Sequence, residues 1–73
     1  MEIKFSRHAR RRMKLYKIPK DIVFDLVKHE KNLGKQTIVK PVKGFTYPLK
    51  IVFDVTDSFV IIITVYPLKR GLS

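Results

Sequence analysis

The sequence predicts an α+β fold in which two N-terminal helices pack on one face of a three- to four-stranded antiparallel sheet. Two patterns support this fold class. Apolar residues recur at helical spacing in the first 29 residues, and from residue 36 they alternate or run continuously, as in strands. The chain of 73 residues has the length of one small domain, so residues 1–73 are expected to form a single α+β domain.

The first helix is expected at residues 7–16, with Ser6 as its N-cap. Four residues fall on one narrow stripe of this helix and are predicted to face the core: Phe5, Ala9, Met13 and Tyr16. His8 and Arg12 lie four residues apart along one edge of that stripe. They are therefore expected to be half-sheltered neighbours.

The second helix is expected from Lys20 to about His29, with Pro19 at its first position and Ile18 packing against its beginning. Its apolar residues recur at the spacing of one helix face: Ile22, Val23, Leu26 and Val27. After Gly34 the periodicity changes, which indicates the end of the helical part of the chain.

Three strands follow, and a short strand at residues 2–5 would extend the sheet. Residues 36–42 are expected at an edge, because Pro41 cannot donate a hydrogen bond to a neighbouring strand. Residues 49–55 alternate between apolar and polar, which is typical of a strand with one buried face. Residues 59–66 are almost all β-branched or aromatic, which predicts a central strand covered on both faces.

The last hairpin is expected to pair symmetrically about Asp57. In this register the residues that face the helices are Leu49, Ile51, Phe53 and Val55 on one strand, and Phe59, Ile61, Ile63 and Val65 on the other. Lys50 would lie opposite Thr64 on the open face of the sheet, and Tyr66 would lie on that same face.

The charge of the chain is strongly positive and uneven. Sixteen Lys and Arg residues against six Asp and Glu give a formal net charge of +10, and eight of the sixteen stand in the first twenty residues beside one acid, Glu2. Arg7, Arg11 and Lys14 lie on the outer side of the first helix, where they resemble the footprint of a polyphosphate backbone. A solvated helix surface, or a surface for an acidic protein, would have the same composition.

Several classes of protein are disfavoured by what the sequence lacks. There is no cysteine, and two histidines with scattered acids argue against a metal site. No glycine-rich phosphate-binding motif is present, so no nucleotide cofactor is expected. The longest apolar run, residues 59–63, is far shorter than the roughly 20 residues that span a bilayer. We therefore expect a cytoplasmic protein that does not enter a membrane.

RNA cleavage without a metal needs a base, an acid and cations on the phosphorane, and the sequence has residue types for all three. His8 is the candidate base, because it lies among arginines and imidazole exchanges protons near neutral pH. Arg12 would bind a phosphate through two N–H groups. Further candidates are Lys50, Lys69 and Arg70 as cations, and Thr64 and Tyr66 as hydrogen-bonding groups, with Tyr66 also able to stack on a base.

Each of these residues also has a purely structural interpretation. His8 would then be an ordinary boundary residue of the helix, and Arg12 would pack its alkyl stem on Tyr16. Thr64 would be a plain strand residue, and Tyr66 a partly polar cover of the core. The residues alone leave both interpretations open.

Three segments resemble a small prokaryotic domain family of unassigned function whose members carry an H-A-x-x-R-M helix motif. The segments are F-S-R-H-A-R-R-R-M at the start, K-I-P-x-D-I-V at the second helix, and L-K-I-V-F-D with I-I-I-T-V-Y-P at the end. The resemblance covers residues 5–67. His8, Arg12 and Met13 match the helix motif, whereas Thr64 and Tyr66 match a T-V-Y-like final strand.

That family is similar in size and element order to the RelE and ParE toxins of toxin–antitoxin systems. The resemblance implies a RelE-like fold, a metal-independent endoribonuclease acting on mRNA, on or off the ribosome, and an acidic antitoxin as partner. Two alternatives remain open: a non-catalytic module that binds RNA or the ribosome, and a basic interaction domain for an acidic protein.

Overall fold

The computed structural model describes residues 2–69 and contains two helices and four strands. In chain order the elements are β1 (Glu2–Phe5), α1 (Arg7–Tyr16), α2 (Lys20–Val27), β2 (Gly34–Lys40), β3 (Leu49–Val55) and β4 (Phe59–Pro67). The strands form one sheet in the order β1-β4-β3-β2. The α+β class, the two helices and the short first strand are confirmed. No helix within residues 2–69 is long and apolar enough to cross a membrane.

The sheet is mixed, so the expectation of a purely antiparallel sheet is wrong. β3 pairs antiparallel with both β2 and β4, but β1 runs parallel to β4. Between β1 and β4 the chain forms both helices and two further strands. A connection of this length allows two neighbouring strands to run parallel. β2 is an edge strand as predicted. It ends at Lys40, directly before Pro41, and not at residue 42 as expected.

Both ends of α1 are closed by local hydrogen bonds. Ser6 caps the beginning, as predicted, by accepting from the Ala9 N–H at 3.0 Å. At the other end Lys17 has a left-handed backbone, with φ of 56°. The Ile18 N–H then donates to the Met13 carbonyl at 2.8 Å, which is the long bond of a Schellman motif. This motif turns the chain back, so that Ile18 is buried at the end of α1.

The core lies between the helices and one face of the sheet. Its buried residues are Ala9, Met13, Ile18, Val23, Val27, Leu49, Ile51, Phe53, Val55, Val60, Ile62 and Val65. The alternation predicted for β3 is confirmed at every position. Tyr16 was predicted to face this core but is 39% exposed, because Ile18 takes the buried position at this end of the helix.

The predicted register of the last hairpin is wrong. Thr56 pairs with Phe59 around a two-residue loop: the Thr56 N–H donates to the Phe59 carbonyl at 2.9 Å, and the Phe59 N–H donates to the Thr56 hydroxyl at 3.1 Å. Two-residue loops are the favoured hairpin connection. The pairing therefore begins one residue later than expected, with Val55 opposite Val60.

This shift changes which residues of β4 are buried. Val60 and Ile62 face the helices and are fully buried. The residues predicted for that face, Phe59, Ile61 and Ile63, are only partly buried. The opposite face of β4 is thus half-covered, and the expectation that both faces are covered holds only in part.

Candidate functional site

A β-bulge in β4 sets the geometry of the candidate site. Ile63 is an extra residue on β4, because its neighbours Ile62 and Thr64 pair with consecutive residues of β3 and leave it without a partner there. The extra residue reverses the alternation of side chains beyond it. As a result Val65 faces the core and is fully buried, while Thr64 and Tyr66 project from the open face of the sheet.

The bulge also anchors the beginning of α1. The Ser6 hydroxyl donates to the Ile63 carbonyl at 2.7 Å while it accepts from the Ala9 N–H. The Ser6 backbone N–H donates to the Ile62 carbonyl at 3.0 Å. One residue thus joins the helix N-terminus to the bulge, so α1 starts beside β4 at the point where the side chains change face.

Three of the predicted site residues converge as a consequence. The guanidinium carbon of Arg12 on α1 lies 5.2 Å from the centroid of the Tyr66 ring, and the Lys50 Nζ on β3 lies 5.9 Å from the same centroid. Lys50 is the strand partner of Tyr66 rather than of Thr64, which corrects the predicted pairing. Two cations from different elements therefore share one aromatic ring. We call Arg12, Lys50 and Tyr66 the tyrosine cluster.

The tyrosine cluster has no internal counter-charge. The salt bridge found among the described residues joins Lys28 to Asp25 at 3.2 Å, on an exposed part of α2 and the turn after it. Arg12 and Lys50 are both half-buried and form no ion pair with residues 2–69. Their charges are consequently free to bind an anion, and a guanidinium binds phosphate through two parallel N–H groups.

Thr64 contributes a hydroxyl group without a partner beside this cluster. It lies two residues before Tyr66 on the same face, a distance of about 7 Å along a strand. Its Oγ1 is buried and forms no hydrogen bond within residues 2–69. A buried hydroxyl without a hydrogen-bond partner lowers the stability of the folded state by about 1–3 kcal/mol. Its presence in the fold therefore needs an explanation. A ligand reaches this hydroxyl only when the side chains that cover it move aside.

His8 is more exposed than predicted. With 3.6 residues per turn, Arg12 points about 80° from the direction shared by Ala9 and Met13, whereas His8 points about 120° from it. The sheet therefore covers part of Arg12 but leaves His8 exposed. His8 still lies one turn from Arg12 on the same flank of α1, where its ring is accessible from solvent.

The predicted nucleic-acid-binding residues of α1 share its outer side, within about 60° of one another. Arg7, Arg11 and Lys14 are exposed on α1, and Lys69 is exposed after the end of β4. Arg70 lies outside the described residues. Lys14 faces a cleft between the two helices rather than the flank that carries Arg12. Lys14 and Arg12 thus belong to two separate surfaces of α1.

Sequence reasoning missed the elements that assemble the site. The bulge at Ile63 lies inside a continuous apolar run, so no polar residue marks it in the sequence. The cleft that Lys14 shares with Arg10, Lys17 and Lys20 was also missed, although three of these residues follow the i, i+4, i+7 spacing of one helix flank.

Comparisons with protein-family models, with curated proteins and with solved structures give no match. Within residues 2–69, no three His, Asp or Glu side chains are grouped closely enough to hold a metal ion.

Proposed function

We propose that this protein is the toxin of a toxin–antitoxin system and acts as a metal-independent endoribonuclease on mRNA. The observation that supports this most directly is the convergence of Arg12 and Lys50 on the ring of Tyr66. The partnerless hydroxyl of Thr64 lies on the same face. We include a RelE-like fold, a cytoplasmic location and an acidic antitoxin as partner in this proposal, on the basis of the sequence resemblance described above.

The proposed reaction is an attack of a ribose 2′-oxygen on the adjacent phosphorus. The 2′-oxygen forms a bond to phosphorus as the bond to the 5′-oxygen breaks, which leaves a 2′,3′-cyclic phosphate and a 5′-hydroxyl end. Such a step needs a base for the 2′-hydroxyl proton, an acid for the leaving 5′-oxygen, and cations that stabilise the phosphorane.

Each of these tasks has a residue at the site. His8 is the base, because its imidazole is exposed on the flank of α1 that carries Arg12. Arg12 and Lys50 bind the phosphorane oxygens from two sides of the tyrosine cluster. Tyr66 donates a proton to the 5′-oxygen through its hydroxyl.

Thr64 holds the scissile phosphate in register with its hydroxyl, which has no partner within residues 2–69 and becomes accessible when the side chains that cover it move aside on binding. In this proposal it is a positioning residue.

Cleavage by purified protein is the direct test. An end-labelled RNA, free or on translating ribosomes, is incubated with the protein in EDTA, and the products are examined for 2′,3′-cyclic phosphate ends. We expect His8→Ala, Arg12→Ala and Lys50→Ala each to lower the rate by about 100-fold or more, as loss of one acid–base or charge-stabilising group does. Lys31→Ala removes an exposed charge outside the site and serves as the matched control.

Inducible expression gives a second, independent test. The wild-type protein should stop growth, and the Arg12→Ala variant should relieve the arrest while circular dichroism shows it to be folded. If RNA stays intact in EDTA, on and off ribosomes, and expression does no harm, the nuclease hypothesis is wrong.

A non-catalytic module that binds RNA or the ribosome is the alternative favoured by the exposed basic residues of α1. In that case Arg7→Ala and Arg11→Ala should weaken binding more than His8→Ala does. Binding should also fall steeply with salt, because phosphate contacts release counterions. A basic interaction domain for an acidic protein is the third hypothesis, and its surface is considered next.

A further inference from the structure

A cleft of about 370 Å³ lies between the C-terminal half of α1 and the beginning of α2. Its lining residues are Arg10, Met13, Lys14, Lys17, Ile18, Pro19 and Lys20. Met13 and Ile18 are the buried members of this set, at 5% and 4% exposure, and belong to the core. The Schellman motif produces this arrangement, since it folds Ile18 back toward Met13. The cleft thus has an apolar base formed by the edge of the core.

Four cations surround this apolar base, and none of the acidic residues within residues 2–69 lines the cleft. Arg10, Lys14 and Lys17 come from α1 and its C-cap, and Lys20 from the first residue of α2; all four are exposed. Arg10 and Arg12 point about 160° apart on α1. The cleft therefore faces away from the tyrosine cluster and forms a separate surface.

The chemistry of this surface favours an acidic peptide over RNA. A phosphate backbone would gain from the four cations but would leave the apolar base unused. The described lining has no aromatic ring, carboxylate or amide side chain to stack on a base or to read its edge. A helix with one apolar stripe bordered by carboxylates uses both features, because its apolar side chain fills the cleft and its acids pair with the rim. The volume is within the range of binding pockets, about 300–1,000 Å³.

We propose that this cleft is the docking site of an acidic amphipathic helix from a partner protein. One large apolar side chain of that helix packs on Met13 and Ile18, and its flanking carboxylates pair with Arg10, Lys14, Lys17 and Lys20. The net charge of +10 adds long-range attraction for such a partner. The proposal rests on the acidic-partner component of the proposed function and is independent of RNA cleavage.

A synthetic peptide tests this proposal without RNA. The probe is a fluorescein-labelled helical 16-mer with leucines along one stripe and glutamates along both borders, and its contacts are mapped by two-dimensional NMR of the full chain. We expect the amide shifts to change at residues 10–20. Replacing the leucines by serine, at equal charge, should weaken binding at least 10-fold.

Two double variants separate the cleft from general electrostatic attraction. Arg10→Glu with Lys17→Glu should weaken peptide binding at least 10-fold. Lys31→Glu with Lys43→Glu makes the same change in net charge at exposed positions that do not line the cleft, and should weaken it less than threefold. Circular dichroism of both variants establishes that they are folded.

Three results would overturn the proposal. Equal weakening by the two double variants would mean attraction by charge alone, and equal binding of the leucine and serine peptides would mean that the apolar base is not used. The third result is that oligouridylate changes the amide shifts of residues 10–20 and displaces the peptide. The cleft would then be an RNA-binding surface. Because the peptide arms of the experiment contain no RNA, their failure leaves the cleavage result unaffected.

Discussion

The guanidinium of Arg12 lies over the ring of Tyr66, with its carbon 5.2 Å from the ring centroid. This contact joins the first helix to the last strand at the place where the chain combines cations, an aromatic ring and a hydroxyl without a partner. The Lys50 Nζ approaches the same ring at 5.9 Å. The ring therefore fixes the positions of two positive charges that would otherwise repel each other.

The Arg12–Tyr66 contact should be measurable in a double-mutant cycle. Arg12→Ala and Tyr66→Ala, alone and combined, should give an interaction energy of about 0.5–1 kcal/mol in the free energy of unfolding, the range of a partly exposed cation–π pair. Urea denaturation measures it. The control is a second cycle that combines Arg12→Ala with Phe59→Ala. The Phe59 ring is contacted by Lys4 and not by Arg12, so the interaction energy of this cycle should be near zero. Equal energies in the two cycles would contradict the contact.

The buried hydroxyl of Thr64 predicts opposite effects on stability and activity. Thr64→Val keeps the shape and removes an Oγ1 that has no partner within residues 2–69, so the free energy of unfolding should stay level or rise by about 1 kcal/mol. RNA cleavage should fall, because the hydroxyl that positions the phosphate is lost. Thr37→Val, at an exposed position of β2, is the control for both measurements. A clear loss of stability in Thr64→Val would mean that the hydroxyl has a partner in solution.

Loss of the Ser6 hydroxyl should destabilise the fold. Ser6→Ala removes both the cap of α1 and the bond to the Ile63 carbonyl, at a cost of about 1–2 kcal/mol. Each kcal/mol lowers the Tm of a domain this small by roughly 4–8 °C. Ser58→Ala, in the exposed hairpin loop, should change the Tm little. If the Ser6→Ala and Ser58→Ala variants have the same Tm, Ser6 does not anchor the helix to the bulge.

Two phenylalanines provide a matched test of the core. Phe53 is fully buried in β3, whereas Phe24 on α2 is 43% exposed. Phe53→Ala should cost about 3–5 kcal/mol, which is comparable to the whole stability of a domain of this size. Phe24→Ala should cost much less, and thermal unfolding followed by circular dichroism compares the two. Similar losses would contradict the position of the core.

The predicted placement of three side chains on the open face of the sheet is confirmed although the register was wrong. Near the turn the pairing is displaced by one residue, which moves Val60 to the core face in place of Phe59. Beyond the bulge the displacement becomes two residues, and an even displacement keeps each side chain on its predicted face. Lys50, Thr64 and Tyr66 consequently share the open face as expected, although their pairing differs.

The sequence alone determined those elements whose local residue pattern is compatible with only one secondary structure. Alternation along β3, the Ser6 cap and the edge position of β2 each have a nearby physical cause, and all three are found in the structure. In β4 nearly every residue is apolar, so its composition does not distinguish the two faces or mark Ile63 as the extra residue. Only the tertiary structure decided these points, because the parallel pairing of β1 and the bond from Ser6 to the bulge form between distant parts of the chain. The convergence of Arg12 on Tyr66 depends on both.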